Sequence, residues 1–563
     1  MKNYLLILLV ICLFSCEKAE VVTPPEEDMN PPEEEIMIPE DAIEFLDFET
    51  QTTHLSMLSI YAKDKEKYTT FESHLNDQTV DLFASLTIQN AGYYELSVNA
   101  TTSTNTIDTV YQFVIIDEER GEAEWGIKKF TPSEIDDKSF ALSDLNFFYP
   151  QRFPKGLNLP ILFNANVSEE ERSKYYAHLT IDGNTTTLKR GIGSLNVPSD
   201  RSVNTLSVKL NNEIKELTIV DTDPEYIVLE STIEEDTELL KNEYYHITSD
   251  LTIMPGTAFI IPQGCVIKID EGVNIYNMGT FIINGIADNP TVITCSDPQS
   301  FWGGIISMGT QTTVAVNHSI IAQSGFHDSP AYQYGHAKRQ ALFYLDNSDL
   351  AMLNSHFIDH IGQIFYLINN STLWLDNSLI QRAKTAGEVS NADIIISNST
   401  FTDFPEYSNQ YQDEDNDCIY INRSDAVITN STFMWSKDDG IDSGSSGGGE
   451  IEISDCHFEG IFHEAIALSS ANNVTKTHTI SNCAFKNCGQ GIELGYSSPN
   501  HNVTVSNCQF EECLIGVRYG DNYDWSIEGF MELIDCQFDS NLDLDTWNFV
   551  RSEWAPKNEN FVF

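Results

Sequence analysis

The chain has 563 residues and a formal net charge of −54, from 85 acidic and 31 basic side chains. That length exceeds what one compact core supports, so several domains are expected. The acidity excludes charge-driven, non-specific binding to nucleic acid or anionic membrane, since both would repel the chain.

The first element is an address. Met1-Lys2-Asn3 precedes the apolar run Tyr4 to Phe14 and then Ser15-Cys16. A basic start, a short apolar core and a small residue before the cut describe a secretory signal too short to span a membrane. Leu13-Phe14-Ser15-Cys16 resembles the lipobox of bacterial lipoproteins. The resemblance implies lipidation of Cys16 and anchoring at the bacterial outer membrane, exposed on the cell surface. Residues 17–44 come next, rich in Pro and Glu, and cannot bury a core. They are expected to act as a stiff, self-repelling tether.

Aromatic and β-branched residues are plentiful and turn residues punctuate short apolar runs, so the whole body is predicted to be all-β. Residues 45–135 alternate apolar and polar, as in Tyr93-Tyr94-Glu95-Leu96-Ser97-Val98, and residues 136–225 do the same around Ala177–Asp182 and Asn204–Leu210. Both segments are expected to be small β-sandwiches that space or dock the C-terminal region. Neither carries a catalytic constellation.

Residues 226–563 read as a solenoid. A phrase Asn-(Ser/Cys)-x-Phe, with looser copies, starts at His318, Asn354, Asn377, Asn398, Asn430, Asp455, Asn482, Asn507 and Asp535, giving steps of 36, 23, 21, 32, 25, 27, 25 and 28 residues. Such a period, broken by longer loops, is the sign of stacked coils. The run from Leu251-Thr252-Ile253 through Val266–Ile269 and Gly285–Pro290 to Phe301-Trp302-Gly303-Gly304-Ile305 resembles the opening coils of the pectin-lyase-like superfamily. That resemblance implies a C-terminal right-handed parallel β-helix. It leaves activity open, because the superfamily holds lyases, hydrolases, adhesins and binders.

Stacked strands lie about 4.8 Å apart, so residues in one slot form columns. Phe is expected to fill the interior and Asn to hydrogen-bond to its copy in the next coil. Cys456, Cys483, Cys508 and Cys536 share one slot and read as a column of buried thiols; Cys488 and Cys513 form a second pair.

A second alignment carries the chemistry. Asp417-Cys418-Ile419-Tyr420, Asp439-Gly440-Ile441-Asp442, Glu464-Ala465-Ile466-Ala467, Gln490-Gly491-Ile492-Glu493 and Ile515-Gly516-Val517-Arg518 match position by position. The Ile/Val column is expected to face inward and the flanking columns outward. Asp438 and His463 lie just before the first flanking column. Like charges stacked at coil spacing are costly unless protonated, paired or bound to a metal, which makes this patch the candidate site.

Three mechanisms fit it. In one, Asp439, Asp442, His463, Glu464, Glu493 and Arg518 are the catalytic set, two carboxylates acting as acid and base on a glycosidic bond. Asp438-Asp439 with Asp417 resembles the aspartates of the polygalacturonase family, although His463-Glu464-Ala465 stands where that family has Gly-His-Gly, and no Arg-x-Lys comes after it. In another, Asp417, Asp438, Asp439 and Asp442 hold Ca²⁺, which takes six to eight oxygens, while Lys437, His463 or Arg518 serves as base. In the third, the patch only binds a glycan or an ion, as in an adhesin. Tyr411, Tyr420, Lys437, Tyr523 and Trp525 are expected to touch a sugar, aromatic faces beside polar groups suiting carbohydrate. The expected partners are a polysaccharide and, through the lipid, a membrane, with the protein itself a monomer.

Overall fold

A computed structural model describes most of residues 58–548, with interruptions chiefly at 116–140, 199–204, 405–416, 444–448, 469–477, 495–498 and 520–527. The signal peptide, Cys16, the tether and Tyr411, Tyr523 and Trp525 lie outside the described residues. The chain divides into two compact units, Met1–Glu118 and Glu119–Phe563. In the first, Gly92–Thr102 pairs antiparallel with both Tyr68–Leu75 and Thr106–Ile115, and Leu58–Ile60 pairs with Leu86–Ile88.

The second unit holds three long parallel sheets, two of 13 strands and one of 12, whose strands succeed one another in threes along the chain. We call them sheet A (Ile227–Val228 through Gln537–Phe538), sheet B (Thr232–Ile233 through Leu544–Asn548) and sheet C (Thr237–Glu238 through Glu528–Ile534). Each coil contributes one strand to each sheet, and the side chains pointing inward form a continuous core. Sheet A supplies the regular part of that core. The rings of Phe401, Phe433, Phe458, Phe485, Phe510 and Phe538 stack with centroids 4.8–5.1 Å apart and planes within 11° of parallel. Phe357 departs from the column and meets Phe343 edge-on at 5.7 Å.

The residue opening each repeat phrase has a backbone role. His318, Asn354, Asn377, Asn398, Asn430, Asp455, Asn482, Asn507 and Asp535 all have positive φ, between 44° and 55°. This corner joins sheet C to sheet A and needs the left-handed conformation, which Asn and Asp adopt more easily than other side-chain-bearing residues. The expected ladder forms as well: Asn377 Nδ2 donates to Asn354 Oδ1 at 2.8 Å and Asn430 Nδ2 to Asn398 Oδ1 at 2.5 Å. The next position closes the corner locally. Ser355 and Ser399 hydroxyls donate to the carbonyls two residues earlier at 2.7 Å, and the Cys456 and Cys483 thiols take the same place at 3.2 Å. Both cysteine sets are free thiols, and all but Cys536 are buried.

Residues 141–222 pack against this solenoid. A four-stranded antiparallel sheet (Ala177–Ile181, Asn184–Leu188, Thr205–Leu210, Glu213–Thr218) faces a three-stranded one (Leu145–Phe148, Leu159–Ala165, Ile192–Val197). Their core continues without a break into the outer face of sheet A, through Tyr244, Val266, Val292, Ile320, Ile358 and Leu379. Along one outward column of sheet A the residues run Tyr244, Val266, Val292, Ile320, His356, Leu379 and then Thr400, Thr432, His457, Ala484. The apolar stretch marks where the module docks. Polar contacts extend the seam: Tyr176 Oη donates to Glu459 at 2.6 Å and Arg190 lies 3.2 Å from the same carboxylate. Burial would raise the Glu459 carboxyl, but His457, Arg190 and Tyr176 outweigh it and hold it down at about 2. Lys189, paired with Asp403, also lies 4.4 Å over the Trp435 ring.

Candidate functional site

Sheet B aligns as the sequence predicts. Ile419, Ile441, Ile466, Ile492 and Val517 are in register and buried in the core. The outward column beside them reads Tyr276, Ile306, Tyr344, Tyr366, Glu388, Tyr420, Asp442, Ala467, Glu493, Arg518. The second column, at the A-to-B corner, brings Asp417, Asp439, Glu464 and Gln490 onto successive coils. The corner glycines make room for this. A Cβ on Gly440 would meet the Ala465 carbonyl at 2.5 Å, and one on Gly491 would meet the Phe510 ring at 2.6 Å.

The charged residues converge. Asp417 Oδ1 accepts from the Asp439 amide at 3.2 Å, and Asp439 Oδ1 accepts from the Glu464 amide at 2.9 Å. His463 Nδ1 contacts Glu464 and lies 3.5 Å from Asp439 and 3.7 Å from Asp438. Arg518 reaches Glu493 at 2.6 Å and Glu464 at 3.4 Å, and Gln490 Nε2 donates to Glu464 at 2.6 Å. Asp442 sits between Tyr420 and Ala467 in the adjacent column, half-buried. Lys437 is buried, its ammonium 4.7 Å from the centroid of the Phe462 ring.

Burial governs the proton balance. Glu464 is 1% exposed; its burial, with the charges of Asp439 and Glu493, pushes its carboxyl well up against the pull of His463. Burial would lower His463, but Glu464 and its hydrogen bonds to Asp438, Asp439 and Glu464 hold the imidazole well above its ordinary value. Burial would likewise raise Asp439, yet His463 beside it and the Glu464 amide keep it low. The result is two neighbouring carboxyls whose proton affinities are pushed apart, Glu464 up and Asp439 down.

Among the described residues, Asp438, Asp439 and His463 form a group whose donor atoms lie within 4.8 Å of one another. Asp417 and Asp442 are not members of it. Two carboxylates and an imidazole are a mixed oxygen and nitrogen set, closer to what a transition metal takes than to the oxygen cage of calcium.

Sequence reasoning missed Gln490's contact to Glu464 and the buried Glu388, whose carboxylate accepts from the His336 and Ala337 amides. It also missed a regularity of the connections. The C-to-A corner holds only the pairs Asn354-Ser355, Asn377-Ser378, Asn398-Ser399, Asn430-Ser431, Asp455-Cys456, Asn482-Cys483, Asn507-Cys508 and Asp535-Cys536. Every long connection in these coils borders sheet B: Ala322 to Ala341, Phe404 to Ile419, Ser443 to Ile451, Ala467 to His478 and Tyr519 to Glu528. The repeat steps carry that signal once the phrase is used as a zero mark.

Comparison with known proteins bears on the fold. The family model described as a right handed beta helix region matches residues 388–543, and one described as a pectate-lyase like beta helix domain matches residues 231–340. Both segments are right-handed parallel β-helix. No curated protein matches the chain. Among solved structures, an alginate lyase from Paenibacillus sp. str. FPU-7 is similar over 53% of this chain and 98% of its own, at 11% identity and a TM-score of 0.27. A likeness that low carries no argument about this β-helix.

Proposed function

We propose that the β-helix binds a polysaccharide along sheet B and cleaves it by acid–base chemistry. The observation that supports this is the convergence of Asp438, Asp439, Glu464 and Glu493 with His463 and Arg518 on consecutive coils of one sheet. Pairs of carboxyls whose surroundings push their proton affinities apart are the basis of acid and base assignments. Glu464 and His463 share one proton at their contact, and the imidazole gives a proton to the leaving glycosidic oxygen. Asp439, anionic, is the nucleophile or base. One coil separates them, about 4.8 Å along the axis, nearer the spacing of double-displacement glycosidases than that of single-displacement ones. His463, already protonated in this cage, acts as an acid, so the base role open to it from sequence passes to Asp439.

A second reading rests on the Asp438–Asp439–His463 group: the site holds a cation, calcium included, and binds a glycan without cutting it. Reducing-end and unsaturated-product assays on alginate, polygalacturonate, xylan and neutral glucans, with and without chelator, separate the two. Asp439→Asn is expected to lower turnover about 10²-fold or more. Unchanged turnover in the Asp439→Asn, Asp442→Asn double variant sinks the catalytic reading. Chelator-sensitive binding without turnover supports the second. We also propose that lipid on Cys16 anchors the protein at the outer membrane; Cys16→Ser is then expected to move it from the membrane to the soluble fraction.

A further inference from the structure

On sheet B the outward column changes character between Tyr420 and Asp442, and a strap ends at that point. The strap is the connection 323–340, which leaves sheet A after Ala322 and enters sheet B at Ala341. It runs lengthwise along the face. Tyr332 Oη lies 2.5 Å from Tyr276 Oη. Farther along the column, the Tyr334 ring packs on Tyr344 at 4.4 Å and on Tyr366 at 5.5 Å, in the latter case within 17° of parallel. The His336 ring then meets Tyr420 at 4.3 Å. The contacts keep the column order Tyr276, Tyr344, Tyr366, Glu388, Tyr420.

The strap is fastened by polar groups as well as by rings. Glu388, buried, accepts from the His336 amide at 2.8 Å and from the Ala337 amide at 2.9 Å. Gln363 Nε2 donates to the carbonyls of Tyr334 and Arg339 at 3.1 and 3.0 Å. Gly335 has φ of 61°, and a Cβ there would fall 1.9 Å from the Glu388 carboxylate. Only glycine lets the strap come this close. Charge-assisted bonds of a buried carboxylate to two amides are among the stronger fixings available to a loop.

We infer that this strap is the end wall of the groove, so the site receives the end of a glycan chain and excludes chain interiors. The inference rests on the polysaccharide reading of the acidic cluster. The chemistry begins one coil beyond Tyr420, at Asp442 and Asp439, and continues through Glu493 to Arg518. A glycan lying along the sheet over those coils runs into His336 and Tyr420 on the near side. The faces that an extended chain would need beyond that point are already occupied by Tyr332, Tyr334 and His336. An internal segment would have to lift a strap held along its length by rings and by Glu388, whereas a terminal sugar meets only its edge.

The test is binding of oligosaccharides of alginate, polygalacturonate, xylan and neutral glucan, each with free ends and with both ends capped by a bulky group. Wild-type protein is expected to bind the capped form of its preferred oligosaccharide about tenfold more weakly than the free form, the scale of one steric exclusion. In the His336→Ala, Tyr334→Ala variant, which keeps Glu388 and its two amides, that difference is expected to vanish. Equal affinity of wild type for capped and free forms overturns the end wall and leaves the polysaccharide reading intact. A difference that survives in the variant also overturns the strap's part. Absence of any binding across the panel brings down the polysaccharide reading and this inference together.

Discussion

The inner column of sheet A and the outer column of sheet B are built on the same coils, yet they obey different rules. From Phe401 to Phe538 the inner slot is Phe in six consecutive coils, at near-constant spacing. From Glu388 to Arg518 the outer slot changes residue at every coil. Inside, each ring must match its neighbours at close-packed density, so one solution is repeated. Outside, no repeated ring stack fixes the residue type, and the side chains found there include charged partners such as Glu493 and Arg518.

The sharpest way to break this contrast is from within. Phe458→Ala removes a ring from the middle of the stack and is expected to cost about 3–5 kcal/mol, read as a lower urea midpoint. An equally large fall on replacing exposed Val427 would show that the contrast is not between inside and outside.

The docked module tests the exception, where an outward face behaves as core. Arg190→Ala leaves Glu459 buried with one cation fewer and is expected to cost about 3 kcal/mol. The same carboxylate gives a pH dependence. Its folded-state value lies below the ordinary one, so its contribution is complete above the ordinary carboxylate range and is lost as pH falls toward about 2. Protection from hydrogen exchange along Ile192–Val197, relative to the intrinsic rate at each pH, is expected to fall over that window in wild type, and Arg190→Ala is expected to make the fall smaller and to end it at a higher pH.

Smaller effects sharpen the reading of the corner. Asn398→Ala puts an ordinary side chain at φ of 50° and is expected to cost about 1–2 kcal/mol, while Asn398→Gly is expected to recover most of it. Cys508→Ser is expected to change stability by about 1 kcal/mol or less, since serine makes the same bond in earlier coils. A large loss there would mean that the thiol column packs in a way serine cannot copy.

Much of the fold was legible because a stacked coil writes its periodicity into the chain. The phrase at Asn354, Asn398 and Asn482 located the inner slots, and the Ile441, Ile466, Ile492 register came with it. The backbone reason for the asparagine was not legible, since hydrogen bonding and a left-handed corner both select that residue. Docking of residues 141–222 on sheet A was written in Val266, Val292 and Ile320, which occupy outward slots. Without the register they read as more core. At the site, the convergence of Asp439, Glu464, Glu493 and Arg518 came from column alignment. The strap did not, because which side chains Tyr334 and His336 cover depends on a path that no periodicity encodes.

The two-residue corner between sheets C and A has a last consequence, for how this chain can grow. From Asn354 onward that edge holds two residues at every coil, whereas earlier coils hold up to six, so this part of the molecule has a fixed spine and two editable margins, both bordering sheet B. Closing a longer surface loop costs little, about 0.6 kcal/mol for each doubling of its length. New walls, tips or contacts can therefore be added beside the acidic coils while the stack behind them keeps its register. A designer wishing to re-aim this surface would cut between Ser443 and Ile451 or between Ala467 and His478, and leave every Asn-Ser and Asn-Cys pair untouched.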